Sequence, residues 1–286
     1  AIQMMTINTA EHFGLSREMG MIAPGRWADV LLVEDLNDFH PAMVIAKGQV
    51  IAQDGELIIE MPQVAYPGWA RKSVNLGHAL RAEDFALKTE AGSGTSVTAN
   101  VIGVIENQAP TEHLKMQVQP NDEEIHVDME RDIAKLALVE RHKATGDVVV
   151  GLVSGFGFTE NCGIASTVAH DSHHMIVTGT SESDMAIAVN KLAEVGGGQV
   201  VVKDGKVIGL VELQIAGLMS TERADVVAAK AAMVLEGFRA CGCTLNNPNM
   251  QLSLLALVVI PELRISDLGL VDVKNFDFVP VIETGK

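Results

Sequence analysis

The chain has 286 residues, 48% hydrophobic and 20% charged, a composition typical of a globular protein with one large domain or two ordinary ones. The formal net charge of −16 argues against a nucleic-acid backbone or an anionic membrane as partner, since an acidic surface attracts neither. No apolar run is long enough to span a bilayer. The three cysteines lack the spacing of redox and zinc motifs, which indicates reduced, structural thiols in a cytoplasmic protein.

The first sixty residues predict the end of a helix followed by a small β unit. Hydrophobic residues recur at helical spacing within residues 1–14, and strand-like runs follow at residues 28–33, 43–46 and 49–52. The Lys47-Gly48 pair between the last two runs is typical of a hairpin turn. The chain starts without an initiator methionine or a signal-peptide pattern, so we expect its beginning to correspond to the middle of a longer protein.

Residues 62–94 differ in composition from the segments on either side. Prolines, glycines and charged residues interrupt any periodicity there, which predicts a linker that runs over a surface.

Residues 95–286 alternate between strand-like and helix-like patterns, which predicts a mixed α/β domain. The predicted strands lie at residues 97–105, 114–118, 148–153, 164–169, 175–177, 199–202 and 207–211. The predicted helices lie at residues 130–142, 181–192 and 221–240. Residues 252–260 fit either an apolar helix or a buried strand.

A polar cluster, His170-Asp171-Ser172-His173-His174, separates two of the apolar runs. Such groups need partners or a cavity, and imidazoles beside a carboxylate suit proton transfer, metal ligation or recognition of a polar heterocycle. In a strand, the side chains would alternate between the two faces. In a tight connection, Asp171 and Ser172 would bond nearby amides and the imidazoles would point outward together. A turn with solvated histidines and no function is an equally weighted alternative.

Other motifs give weaker indications of function. The chain contains no His-x-His or His-Glu-x-x-His, so it offers no standard set of metal ligands. The run Gly155-Phe156-Gly157-Phe158 follows a strand but lacks a third glycine at the dinucleotide spacing, which disfavours a nucleotide-binding loop.

Residues 6–10, 14–15 and 20–33 resemble the passage that leaves the metal-binding barrel in the amidohydrolase superfamily, most specifically in Pro24-Gly25-x-x-Ala28-Asp29. Residues 166–173 and 259–273 resemble the C-terminal domain of the bacterial adenine deaminase family. The chain departs from the family pattern at His174, where the pattern has Asn. Together these resemblances cover essentially the whole chain.

The resemblance implies four segments: the end of the last barrel helix (residues 1–14), part of a β-sandwich (15–61), a linker (62–94) and the C-terminal domain (95–286). The barrel itself, of TIM type, would lie upstream. The implied reaction is hydrolysis of adenine to hypoxanthine and ammonia by metal-activated water. The implied cofactor is a divalent metal, manganese or iron with zinc as a third candidate, whose ligands would all lie in the barrel. The implied partners are that barrel portion and a second copy of the chain in a homodimer.

Under this interpretation, His170, Asp171 and His173 have auxiliary catalytic roles at the barrel mouth, while Ser172 and His174 contact the substrate. The alternative is a purely structural or oligomerisation module, in which the histidines form a satisfied hydrogen-bond network. The first interpretation predicts imidazoles that line a cavity, and the second predicts imidazoles that are buried and paired.

Overall fold

The computed structural model describes residues 1–61, 64–71, 73–90 and 95–283, and the chain divides into two units after Ala65. The elements of the first unit are α1 (Ile2–Met5), α2 (Ile7–His12), β1 (Val30–Val33), β2 (Pro41–Ala46), β3 (Gln49–Gln53) and β4 (Glu56–Leu57). These strands form an antiparallel sheet of order β1-β2-β3-β4. Ala10 is the only buried residue in the described part of this unit. The predicted helix and the hairpin at Lys47-Gly48 are confirmed.

The second unit contains the remaining helices and strands. Its helices are α3 (Gly68–Arg71), α4 (Glu182–Val195), α5 (Ala224–Ala240) and α6 (Pro248–Leu254), with 3₁₀ turns at Ala82–Phe85 and Met129–Arg131. Its strands are β5 (Leu87–Lys88), β6 (Val97–Val104), β7 (Thr111–Val118), β8 (Glu124–Ile125), β9 (Ala134–Val139), β10 (Val148–Ser154), β11 (Cys162–Ser166), β12 (Met175–Gly179), β13 (Gly198–Lys203), β14 (Lys206–Glu212), β15 (Leu263–Ser266), β16 (Gly269–Asp272), β17 (Asp277–Val279) and β18 (Ile282–Glu283).

A nine-stranded sheet forms the centre of the second unit. Its order is β14-β13-β11-β12-β9-β10-β6-β18, and β7 pairs with β6. β6 and β10 run parallel, whereas β9 pairs antiparallel with both of its neighbours. The predicted mixed α/β class is therefore confirmed.

Both faces of this sheet are buried, which explains the apolar character of its middle strands. Leu136 and Leu138 of β9 lie in the cluster that contains Phe238 of α5 and Leu252 of α6. The alternate residues Ala137 and Val139 lie in a second cluster, with Met185, Val189 and Leu192 of α4. Successive side chains of a strand point to opposite faces, so one strand contributes to both cores.

The predicted helix at residues 130–142 is wrong. Residues 134–139 form β9, and all six are buried in the middle of the sheet. β9 is apolar apart from Lys135 because the sheet is covered on both faces, so its sequence lacks the alternation that identifies a half-buried strand. The charged residues on either side of β9 resemble the polar face of an amphipathic helix, which led to the wrong prediction.

Several other predicted elements are confirmed with small changes in their bounds. α5 begins at Ala224, and α4 begins after Ser181, whose hydroxyl accepts the amide hydrogen of Asp184. The apolar segment 252–260 is helical only in its first residues, because α6 ends at Leu254. Within the segment predicted as a linker, Leu80 and Phe85 are buried against α4 residues of the second core.

No helix in the described ranges combines the length and the apolar character that crossing a membrane requires.

Candidate functional site

The polar cluster lies in the tight connection between β11 and β12. The amide of His170 donates to the carbonyl of Ser253 (3.1 Å), and that of His173 donates to the carbonyl of Ala169 (2.6 Å). The hydroxyl of Ser172 accepts the amide hydrogen of His174 (3.4 Å). These bonds are those of a turn, so the tight connection is confirmed over the alternating strand, with Ser172 bonding an amide as predicted. Two details were wrong: among the described residues the Asp171 side chain bonds no amide, and His174 is buried rather than directed outward with the other imidazoles.

His170 and His173 form an edge-to-face pair, with ring centroids 5.7 Å apart. The Nδ1 atom of His173 is buried and has no hydrogen-bond partner among the described residues. Burial, together with repulsion from His170 and Arg141, lowers the pKa of His173 below its ordinary value of 6.5. His173 is therefore neutral at neutral pH and can either accept or donate a hydrogen bond.

His174 follows this pair in the chain and is 8% exposed. Its Nδ1 atom is 3.9 Å from Oε1 of Glu140, its Nε2 atom is 3.7 Å from Oδ2 of Asp267, and its ring lies 4.8 Å from that of His142. The two nitrogen–oxygen distances exceed hydrogen-bond length, so the carboxylates act on His174 through charge alone. Burial and the neighbouring His142 outweigh that attraction, and the pKa of His174 is lowered.

Glu140 organises the turn that follows β9. Its carboxylate accepts the amide hydrogens of His142 (2.5 Å), Lys143 (2.9 Å) and Thr145 (3.2 Å). Burial raises the pKa of Glu140, but these bonds and His174 outweigh it, so the pKa lies below its ordinary value of 4.5. The resulting turn brings Nε2 of His142 to 2.9 Å from the carbonyl of Ser172, to which it donates.

Arg141 is buried between three chain segments. It donates to the carbonyls of His173 (2.5 Å), Ser73 (2.9 Å) and Ala216 (3.1 Å). Burial lowers its pKa to about 10, so the guanidinium remains charged at neutral pH.

The sequence did not reveal Glu140, Arg141, His142 and Asp267 as parts of this site. The first three were assigned to the wrongly predicted helix. Three consecutive ionisable residues directly after an apolar run of strand length were the available signal. Asp267 belongs to residues 259–273, which carried the family resemblance without indicating any role for that carboxylate.

The rest of that family segment has a structural role. Arg264 is fully buried and donates to the carbonyls of Ile260, Leu254 and Ala109, which holds three segments together. Glu262 accepts the amide hydrogen of His113 (3.0 Å). These bonds fix the base of the β15–β16 turn, from which Asp267 reaches His174.

The glycine-rich loop after β10 also has a structural role. Asp132 accepts the amide hydrogens of Gly155 (2.6 Å) and Gly157 (2.9 Å), while Phe156 and Phe158 are buried, with ring centroids 5.2 Å apart. These amides, which a nucleotide-binding loop would direct at phosphate, already bind a carboxylate.

We expect Asp132→Ala to lower the free energy of unfolding by about 2 kcal/mol, because hydrogen bonds to a charged group are lost. Alanine is also disfavoured at the positive φ of 54° that Asp132 adopts. Urea denaturation measures the change. Asp132→Asn is the matched control, because asparagine tolerates this φ and keeps one acceptor oxygen, so it should lose less. Equal stability of Asp132→Ala and the parent would contradict the role of these bonds.

One group in the described part of the chain brings three metal-type ligands together: Glu124, His126 and Glu182. The fully buried ammonium of Lys135 lies 2.6 Å from Glu124 and 2.7 Å from Glu182, between the two carboxylates. That position already holds a cation. These residues do not fit the divalent metal that the family resemblance implies, and the described histidine cluster forms no such convergent group.

Comparison with known protein families identifies the class of protein to which the chain belongs. Residues 1–51 match the amidohydrolase family. Residues 108–277, more than half of the chain, match the adenine deaminase C-terminal domain family, and the chain belongs to that family.

Full-length relatives match nearly the whole chain. It is 57% identical over 284 residues to "Adenine deaminase" of Roseobacter denitrificans, covering 99% of this chain and 47% of the relative. It is 57% identical over 283 residues to "Adenine deaminase" of Ruegeria sp., covering 99% and 47%. A more distant relative, "Adenine deaminase" of Moorella thermoacetica, is 44% identical over 282 residues, again covering 99% and 47%. The chain therefore spans about half the length of these relatives.

Proposed function

We propose that this chain is the C-terminal part of an adenine deaminase, which hydrolyses adenine to hypoxanthine and ammonia. The observation that carries the proposal is the 57% identity over 284 residues to a protein named adenine deaminase. A divalent metal, manganese, iron or zinc, would supply an activated water, as metals do by lowering the pKa of bound water. Its ligands would belong to the upstream barrel, since no group in the described chain fits it.

The role proposed for the histidine cluster is auxiliary catalysis at the barrel mouth. His170 and His173 would offer ring nitrogens to the purine or to a water beside it, and Asp171 is exposed next to them. The buried, unpartnered Nδ1 atom of His173 supports this role, since such an atom gains free energy when a ligand supplies its hydrogen bond.

The two residues proposed as substrate contacts differ in accessibility. Ser172 is exposed, and its hydroxyl accepts one amide hydrogen, so its own proton is available to an acceptor on the substrate. His174 is buried between Glu140 and Asp267, so it would act from beneath the loop.

The first unit supports the proposed upstream partner. Trp27, Leu31 and Leu32 are each close to half exposed in or beside its four-stranded sheet, and a small sheet needs a covered apolar face for stability. Leu31 and Leu32 are consecutive in β1 and lie on opposite faces, so upstream strands that complete a β-sandwich would cover the face of one of them. The homodimer also remains a proposal, which sedimentation of the whole enzyme would test.

We propose a cytoplasmic location on the ground that all three cysteines are free, buried thiols.

The alternative function, a structural or oligomerisation module, is favoured by a different observation. Arg141 and Glu140 make all their bonds within this unit, as expected for a satisfied structural network. The two functions differ in what the imidazoles do: a structural network predicts loss of stability on their removal, and an auxiliary site predicts loss of turnover per folded molecule.

A chimera tests the proposal directly. The upstream part of the Roseobacter denitrificans deaminase would be fused to this chain in place of its own matching part; we refer to this fusion as the assembled enzyme. It should convert adenine to hypoxanthine and carry stoichiometric metal, whereas this chain alone should do neither. The upstream part alone is the control. An assembled enzyme that folds and binds metal but does not deaminate adenine would refute the proposal, as would turnover by this chain alone.

A further inference from the structure

We propose that Arg141 is the positioning residue of the histidine cluster: it fixes the backbone of the loop at His173 and places a buried positive charge beside that imidazole. This inference rests on the proposed function, because it assigns Arg141 a task in the reaction that the cluster would assist. Arg141 would not touch the substrate and would act only through His173.

The first argument is the geometry of the bonds. A guanidinium has N–H donors in a planar fork, and Arg141 directs them at three carbonyls from segments far apart in sequence. Its Nε atom binds His173 in the loop, Nη1 binds Ser73, and Nη2 binds Ala216 in the segment after β14. The loop is thereby tied to two segments outside the β11–β12 hairpin.

The space around the guanidinium is also closely fitted. A Cβ atom on Gly217 would lie 3.0 Å from both Nη atoms of Arg141, so a larger residue there would have to displace the side chain. The backbone of Arg141 is held as well, since its carbonyl accepts the amide hydrogen of Asn75 (2.8 Å). The side chain is 1% exposed. Arg141 thus has little freedom to move away from His173.

The second argument is charge. The groups that face His173 are His170, Asp171, His142 and Arg141, of which only the Asp171 carboxylate favours the protonated imidazole. His174 likewise faces His142, Arg141, Glu140 and Asp267. A permanently charged guanidinium disfavours a second positive charge nearby, so it opposes protonation of both imidazoles.

Two substitutions separate position from charge. Arg141→Lys keeps a positive charge but replaces the fork by one compact ammonium group, which cannot reach all three carbonyls. Arg141→Met keeps similar bulk but removes both the charge and the bonds. Their effects on turnover and on its pH dependence should therefore differ.

In the assembled enzyme, we expect Arg141→Lys to lower kcat/KM roughly ten- to hundredfold, which is the scale of misplacing a reacting group by about 1 Å. Its acidic limb, where activity falls as the imidazoles become protonated, should stay at the same pH. Arg141→Met should lose at least as much, and its acidic limb should move to higher pH. Burial and His170 still lower the pKa of His173 there, but the contribution of Arg141 is gone. Hydrogen exchange of residues 167–174 should become faster in both variants.

Lys135→Met is the matched control, since it removes a buried cation at the opposite end of β9 and should destabilise the protein without altering the acidic limb. Parent-like kcat/KM per folded molecule in Arg141→Lys would overturn the inference, whether or not Arg141→Met folds. A parent-like acidic limb in a folded Arg141→Met would overturn its charge argument. If His170→Ala and His173→Ala also leave turnover intact, the proposed function of the cluster fails. If those two variants lose turnover while the Arg141 variants do not, the inference about Arg141 fails alone.

Discussion

Replacing Lys135 with methionine is expected to lower the free energy of unfolding of the second unit by about 3 kcal/mol, the scale of breaking a buried ion pair by removing one partner. The ammonium of Lys135 is fully buried and bonds two carboxylates, Glu124 at 2.6 Å and Glu182 at 2.7 Å. Methionine preserves the packing of the stem but leaves the two like charges facing each other. The lost free energy of unfolding therefore comes from the two carboxylates that no longer have a cation between them.

The position of Lys135 explains why this loss should be large. Its strand, β9, lies in the centre of the sheet, whereas Glu124 belongs to β8 and Glu182 to the first turn of α4. One ammonium therefore connects three elements that are distant in the sequence. Its removal weakens the attachment of all three.

The pH dependence of the Lys135→Met effect distinguishes this cause from loss of packing. Partial burial raises the pKa of Glu182, but the hydrogen bond and charge of Lys135 outweigh it, so the pKa lies below its ordinary value of 4.5. Nearby His126 also acts to lower it. In the parent, this stabilisation is present above pH 4.5 and is lost as the pH falls through the lowered pKa. In the variant, protonation of Glu182 relieves the repulsion, so the stability difference should shrink below pH 4.5.

Urea denaturation at neutral and acidic pH measures both effects. The matched control is Lys115→Met on β7, which removes an exposed ion pair with Glu283 and should cost less than about 1 kcal/mol. A loss for Lys135→Met that is no larger than the control, or that does not change with pH, would contradict the assigned role of the ion pairs.

The sequence predicted those features that short segments determine by themselves. The Lys47-Gly48 hairpin, the start of α4 after residue 181 and the turn at the histidine cluster each depend on residues within a few positions of one another. The local preferences of turn and helix-start residues were therefore sufficient to predict these features.

The features that the sequence did not predict depend on distant contacts. The strand β9 is apolar apart from Lys135 because the sheet is covered on both faces, and that covering comes from residues distant in the sequence, such as Leu252. The partners Arg141 and Asp267 reach the cluster from the turn after β9 and from the β15–β16 turn. Sequence proximity therefore identified the histidines but not the residues that hold them.

The sequence also could not separate functional from structural polar residues within one family segment. Arg264 and Asp267 are three positions apart in residues 259–273. Yet Arg264 bonds backbone carbonyls in the interior, while Asp267 faces His174 in the candidate site. The direction in which each side chain points decides its role, and that direction depends on the register of β15 with β16.

Replacing His170 or His173 with alanine in the assembled enzyme should lower kcat/KM roughly ten- to thousandfold, or about 1.4–4 kcal/mol of transition-state stabilisation. The cluster is polar, joins two buried strands, and leaves Nδ1 of His173 buried and unpartnered. A residue of this kind that assisted proton movement or held a water would affect turnover. The metal content should remain that of the parent, because the proposed metal ligands belong to the upstream barrel.

The measurement has to separate activity from stability, because loss of a buried imidazole also removes packing. Activity is therefore expressed per folded molecule, and unfolding is measured in parallel. His40→Ala is the control, since His40 is exposed in the first unit and, within the described ranges, pairs with the neighbouring Asp38. Parent-like activity in both His170→Ala and His173→Ala would favour a solvated turn. Lower stability with unchanged activity per folded molecule would identify the cluster as a structural network.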